Sequence, residues 1–245
     1  MSFSNDTKVS EIVLGEPKAK RVFDDAGVDY CCGGSRSLQD ACLAAGTSVE
    51  EISKRLREAG GTATAEDAHW TSAPLGELSR HIREKHHAYV REAIGRLRPL
   101  TGKVRAKHGE NHGELAGIEQ LFQEVAREMS MHMQKEELIL FPYIEAMETA
   151  ANAGAVLEPP FFGTVRNPIH MMMKEHDAAG DLVRQIRKAS GEYLAPADAC
   201  TSYQALYQEL REFEADLHQH VHLENNILFP RALELEAAVT GRGDE

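Results

Sequence analysis

The residues best placed to do chemistry are two copies of one pattern. His132-x3-Glu136 is followed by Ile139-Leu140-Phe141-Pro142, and His220-x3-Glu224 by Ile227-Leu228-Phe229-Pro230, at a shift of 88 residues. On a helix, residues i and i+4 differ by about 40° in direction and about 6 Å in height. Each His-Glu pair therefore shares a face. His86 and His176, 90 residues apart, precede the two copies, so each half of the chain holds one His-bearing segment followed by one His-x3-Glu segment. The pattern is that of a duplicated helical hairpin. Together, His86, His132, His176, His220, Glu136 and Glu224 amount to four imidazoles and two carboxylates. Carboxylates buried without partners cost several kcal/mol each, and a pair of dications offsets that cost. If both carboxylates bridge, each ion receives two imidazole nitrogens and two carboxylate oxygens, with room for a bridging oxo or hydroxo group and an open position. This donor set suits iron or manganese, and zinc is compatible by ligand type.

Cys31 and Cys32 form a second candidate group. Adjacent cysteines rarely bond to each other, because the small ring strains the peptide. Gly33-Gly34 places the thiols on a turn. Such thiols suit metal binding, persulfide chemistry or exchange with a partner, the plain alternative being inert half-buried thiols. Cys42 and Cys200 read as structural. Glu175 reads as a supporting group or a solvated charge, and Glu128 as a solvated face or the wall of a ligand channel. His81, His87, His108, His112, His170, His218 and His222 have no counterpart in the repeat and read as surface or supporting residues. Met171, Met172 and Met173 read as packing rather than a copper site.

These groups need rigid elements to hold them. Four long helices are expected at about 74–98, 112–148, 165–189 and 198–236, broken at Pro99 and Gly102, at Gly154 and Pro159-Pro160, and at Gly191 and Pro196. The apolar stripe Leu115, Ile118, Phe122, Val125, Met129 continues through His132, Glu136 and Ile139. Tyr203, Leu206, Leu210, Phe213 and Leu217 lead likewise through His220 and Glu224 to Ile227. The stripes from Ile82 and Ile169 carry His86 and His176. The expected fold is all-α: a four-helix up-and-down bundle over 74–245, a linker at 61–73, and a small helical domain over 1–60 that carries the Cys-Cys-Gly-Gly loop. In that domain Pro17 opens a helix, Gly27 closes it, and Ser48 with Glu51 forms a capping box.

Composition narrows the function classes. The 245-residue chain is 42% hydrophobic and 27% charged, with a formal charge of −12. That balance argues against nonspecific binding to nucleic acid or an anionic membrane. A transmembrane helix and a secretory signal are not expected, and four cysteines, two of them adjacent, fit a reducing cytoplasm better than a disulfide scaffold.

The segment Asp29-Tyr30-Cys31-Cys32-Gly33-Gly34 resembles the signature of the N-terminal domain in the di-iron proteins for Repair of Iron Centres. Lys174-Glu175-His176-Asp177, His132-x3-Glu136-Glu137 and His220-x3-Glu224-Asn225-Asn226-Ile227-Leu228-Phe229-Pro230 resemble the family's hemerythrin-like domain. Both domains stand in the family's order. The resemblance implies two non-haem iron ions, oxo- or hydroxo-bridged, with His86, His132, His176 and His220 as terminal ligands and Glu136 and Glu224 as bridges. Between His86 and His87, the stripe from Ile82 favours His86. The resemblance also implies that Cys31 and Cys32 are the working thiols, and that the protein is cytoplasmic and commonly a homodimer. The implied function is restoration of iron–sulfur clusters damaged by nitrosative or oxidative stress, with iron donation and nitric oxide chemistry both open as the mechanism. The reading favoured here is release of labile iron, with Cys31 and Cys32 contacting the acceptor. Competing functions are reduction of nitric oxide at the paired irons, binding of oxygen or nitric oxide as a carrier or sensor, and a bundle that metal merely stabilises.

Overall fold

The computed structural model describes residues 3–16, 18–31, 33–59 and 69–240. Pro17, Cys32 and most of the expected linker lie outside the described residues. The fold is all-α, and among the described residues the only β feature is an isolated bridge between Lys8 and Ser37. Two compact units divide the chain: Met1–Leu78, Met147–Leu157 and Val221–Glu245 in one, Ser79–Ala146 and Glu158–His220 in the other.

In the first unit, α1 (Val9–Gly15), α2 (Lys18–Ala26), α3 (Leu38–Ala44) and α4 (Val49–Glu58) are short. Helices this short are marginal alone and depend on packing. Here Ile12, Phe23, Leu38 and Ile52 supply it, all fully buried. Gly27, at φ +69°, ends α2 in the left-handed region that glycine reaches without strain. Ser48 Oγ accepts the Glu51 N–H at 3.2 Å and caps α4. The Glu51 carboxylate bonds Arg55 at 2.8 Å. The same unit holds polar ties to later segments. Glu148 accepts the N–H groups of Leu75 and Gly76 at 2.6 and 2.9 Å, satisfying donors that a helix start leaves open. The Arg231 guanidinium donates to the Trp70 and Ala73 carbonyls.

The long helices run as α5 (Leu75–His81) and α6 (Ala88–His108), joined by a π-helical turn over Ile82–His87. Next come α7 (Glu114–Lys135) and α8 (Phe141–Ala153), joined by a π turn over Glu136–Leu140. Then follow α9 (Arg166–Ala189), and α10 (Thr201–Leu223) with α11 (Phe229–Thr240), joined by a third π turn over Glu224–Leu228. In the second unit α6 and α9 both pack on α7, and Phe122 meets Phe213 of α10 edge-on, ring centroids 5.5 Å apart.

Two expectations fail here for physical reasons. Pro99 does not end its helix, which continues to His108. Interior proline costs about 3 kcal/mol, and burial of Leu97, Thr101 and Val104 on either side outweighs it. Ile139 is 37% exposed whereas Leu140 is buried. The π turn closes with i+5 bonds and so advances the phase of the stripe by one residue.

Candidate metal centre

Among the described residues, all three π turns begin at or end on candidate ligands: His87 ends the first, Glu136 opens the second and Glu224 opens the third. The last two are followed by Pro142 and Pro230. A proline has no N–H to bond the carbonyl four residues back, which leaves the preceding turn able to widen.

The structure brings together His132, Glu136, His176, His220 and Glu224 with His87, each no more than 1% exposed. They fall into two sets: His87, Glu136, His220 and Glu224; and His132, Glu136, His176 and Glu224. Within each set the ligand atoms lie within 4.8 Å of one another. His87 Nε2 is 3.1 Å from His220 Nε2, and His132 Nε2 is 3.0 Å from His176 Nε2. Glu136 Oε2 stands between the sets, 3.2 Å from His132 Nε2 and 3.4 Å from His87 Nε2. Glu224, one turn beyond His220, is a member of both sets. The sets share both carboxylates.

His86 is not in either set, and this corrects the expectation drawn from the Ile82 stripe. Its Nδ1 lies 2.9 Å from Asp216 Oδ1, and its ring stacks on His220 with centroids 5.9 Å apart. The π turn over Ile82–His87 is the reason: i+5 closure carries the face of Ile82 to His87 rather than to His86. His87, read from the sequence as a surface or supporting residue, is fully buried.

Two further carboxylates orient the imidazoles. Glu137 Oε1 is 2.7 Å from His87 Nδ1 and also takes the Arg91 guanidinium at 2.6 Å. Glu175 Oε2 is 3.1 Å from His132 Nδ1, and its other oxygen bonds Lys135. Burial pushes the Glu137 carboxyl up, but bonds from Arg91 and His87 bring it below its ordinary value. The His132 bond, with help from Lys135, holds Glu175 down at about 2. An ionised carboxylate only accepts, so Nδ1 carries the proton and the Nε2 lone pair of each ring faces the cluster. Glu137 has no role assigned from the sequence; it stands there only as the residue after Glu136 in the hemerythrin-like motif.

The donors fit transition-metal ions such as iron: inward imidazole nitrogens, shared carboxylate oxygens, and carboxylates behind the rings. Two ionised carboxylates buried this close to one another need positive charge among them.

The cysteine loop is held within the first unit. Cys31 is buried, and its N–H and Sγ both point at Asp29 Oδ1, at 3.2 and 3.4 Å. Its carbonyl accepts from Asn225 Nδ2 at 3.2 Å, and the Tyr30 carbonyl from Asn226 Nδ2 at 3.1 Å. A Cβ on Gly34 would stand 2.7 Å from the Tyr30 oxygen and 2.8 Å from Asn226 Oδ1, so only glycine fits. His222, read as a surface or supporting residue, is buried; it accepts from Asn226 through Nδ1 at 2.9 Å and meets the Tyr30 ring edge-on. The asparagines carried no signal of this role in the sequence beyond their place beside Glu224.

Comparison with known proteins agrees with this arrangement. Residues 78–232 match the Hemerythrin HHE cation binding domain. Residues 5–60 match a domain of unknown function, DUF542. A probable iron-sulfur cluster repair protein of Haemophilus influenzae is 38% identical over 95% of this chain and 99% of its own. The iron-sulfur cluster repair protein YtfE of Escherichia coli O157:H7 is 35% identical over 93% and 97%, and that of Citrobacter koseri 34% over 95% and 99%. No described helix is long and apolar enough to cross a membrane. The chain thus belongs to the hemerythrin HHE family and, within it, to the iron-sulfur cluster repair proteins.

Proposed function

We propose that this protein binds two iron ions and donates iron to iron–sulfur proteins whose clusters have been damaged by nitrosative or oxidative stress. The observation that carries the reading is the pair of four-residue ligand sets sharing Glu136 and Glu224. His87 and His220 would hold one ion, His132 and His176 the other, with the two glutamates spanning them. When bound, the centre supplies exchangeable iron, which is the substrate of the repair. The chain's own residues do the rest: Glu137 and Glu175 fix the imidazole tautomers, and Arg91 and Lys135 keep those carboxylates charged. Cys31 and Cys32 are the proposed contacts with the acceptor protein, and a homodimer is the proposed assembly. The names of the relatives favour repair over nitric oxide reduction or gas carriage.

Metal content of anaerobically purified protein tests the centre. About two irons per chain, lost in Glu136→Ala with Glu224→Ala, supports it; iron unaffected by those changes overturns it. Reactivation of a cluster-damaged dehydratase tests the function. Cys31→Ala with Cys32→Ala is expected to keep the iron and lose reactivation, and undiminished reactivation would remove the thiols from the reading.

A further inference from the structure

A second chemically loaded cluster sits where α6 ends and α10 begins, within the second unit. It lies about 30 Å along those helices from His87 and His220, by the rise of about 1.5 Å per residue. Cys200 stands at the start of α10, its carbonyl accepting the N–H groups of Tyr203 and Gln204 at 2.9 and 3.0 Å. Its Sγ is 3.1 Å from His108 Nε2. The thiol is half-buried, while Cys31 and Cys42 are buried. Next to this pair, His112 Nε2 is 3.0 Å from Asp198 Oδ2, and His112 Nδ1 is 3.4 Å from Glu114. The His108 and His112 rings are 6.2 Å apart, and Tyr203 packs 5.4 Å from each. The four side chains pair off as His108 with Cys200 and His112 with Asp198, and among the described residues no set of three converges here as it does at the metal centre.

A thiol is a nucleophile only as its thiolate, and a paired imidazole with helix N-terminal N–H groups favours that form. Here His108 leads the effect, the backbone of Tyr203 and Ser202 adds to it, and Lys107 contributes positive charge. Together they bring the thiol down to about 7 from an ordinary 9. The other charged groups facing the pair are Asp198, Glu114 and His112, the last raised by its bond to Asp198.

We propose that Cys200 and His108 form a thiolate–imidazolium pair that is a site of oxidation by hydrogen peroxide, giving a sulfenic acid at Cys200. In this step a sulfur lone pair attacks one peroxide oxygen and the O–O bond breaks. The departing hydroxide takes the Nε2 proton of His108 and leaves as water. Sulfur loses two electrons and the peroxide gains them, leaving Cys200 as the sulfenic acid and His108 neutral. Peroxide suits the site better than a bulky disulfide. The sulfur is half-covered, and a proton donor 3.1 Å away serves a leaving oxygen, which needs protonation more than a leaving thiolate does.

The test uses full-length, metal-loaded protein pulsed with hydrogen peroxide in the presence of dimedone, with the adduct located by peptide mass spectrometry. Labelling of Cys200 that falls about tenfold or more at pH 7 in His108→Gln, and recovers toward pH 9, supports the proposal. Equal labelling in His108→Gln overturns it, as it would show that the thiol is oxidised without help from the imidazole. Absence of label at Cys200 overturns it also. The wild type gives a check that no variant can confound. Alkylation of Cys200 by iodoacetamide is expected to reach half its maximal rate near pH 7, and a midpoint near 9 would refute the pairing.

Discussion

Substituting the two adjacent histidines of the first π turn separates two geometries cleanly. In an unbroken α-helix, His86 sits about 40° from Ile82 and His87 about 140°. The π turn reverses that preference, placing His87 Nε2 3.1 Å from His220 Nε2 and turning His86 Nδ1 onto Asp216 at 2.9 Å. His87→Ala removes one of two imidazoles from its set. Its effect should exceed what loss of a supporting partner produces, which is at most about 100-fold in metal affinity. A change above about 100-fold is above about 2.7 kcal/mol. His86→Ala removes no inward nitrogen, so less than about tenfold is expected. Both residues are buried, so both substitutions open similar cavities, and destabilisation common to the pair cancels in the comparison. The assay is competition for iron between each variant and a chromogenic chelator, with circular dichroism to show that the helices persist. Iron retained by His87→Ala and lost by His86→Ala would refute the π-turn reasoning and restore the uninterrupted stripe.

Three other outcomes follow from contacts already described. Glu175→Gln takes the charged acceptor from His132 Nδ1 and is expected to weaken metal affinity by about 10–100-fold in the same chelator competition, unchanged affinity counting against the orienting role. Gly34→Ala forces a Cβ against the Tyr30 oxygen and Asn226 Oδ1, and should lower stability by about 1–3 kcal/mol in urea titration; a wild-type midpoint would mean that the loop is not held as described. His112 is raised by its bond to Asp198, so the pair adds stability that is full below the ordinary histidine value of about 6.5 and fades as pH rises through the raised one. The melting difference between wild type and His112→Gln should therefore be larger at pH 5.5 than at pH 9, and the reverse order would contradict the assigned sign.

The duplicated His-x3-Glu pattern was legible because it precedes its π turns. Up to Glu136 and Glu224 the helices are regular, and simple periodicity places side chains correctly. Phase is lost past them, as exposed Ile139 and buried Leu140 show. The first π turn has no proline marker and lies ahead of its histidine, so nothing in the residue types distinguishes His87 from His86. The helix through Pro99 was hidden for a different reason: local propensity opposed it, and burial of Leu97 and Thr101 prevailed. The hold of Asn225 and Asn226 on the cysteine loop joins residues nearly two hundred positions apart. Short-range patterns contain no information about such pairings. Cys200 read as structural because its partner, His108, lies 92 residues earlier.

The third π turn has one more consequence. Glu224, a shared carboxylate of the ligand sets, and Asn225, which grips the Cys31 carbonyl, are consecutive residues of that turn. A metal held by Glu224 and the hold of Asn225 on the loop would thus act on the same few dihedral angles. Thermodynamic linkage then makes their influence mutual: whatever factor a docked loop applies to the affinity for iron, iron applies to the docking of the loop. On the proposed function, an acceptor protein that drew the thiol loop away would, through that single peptide, also alter the grip on the metal.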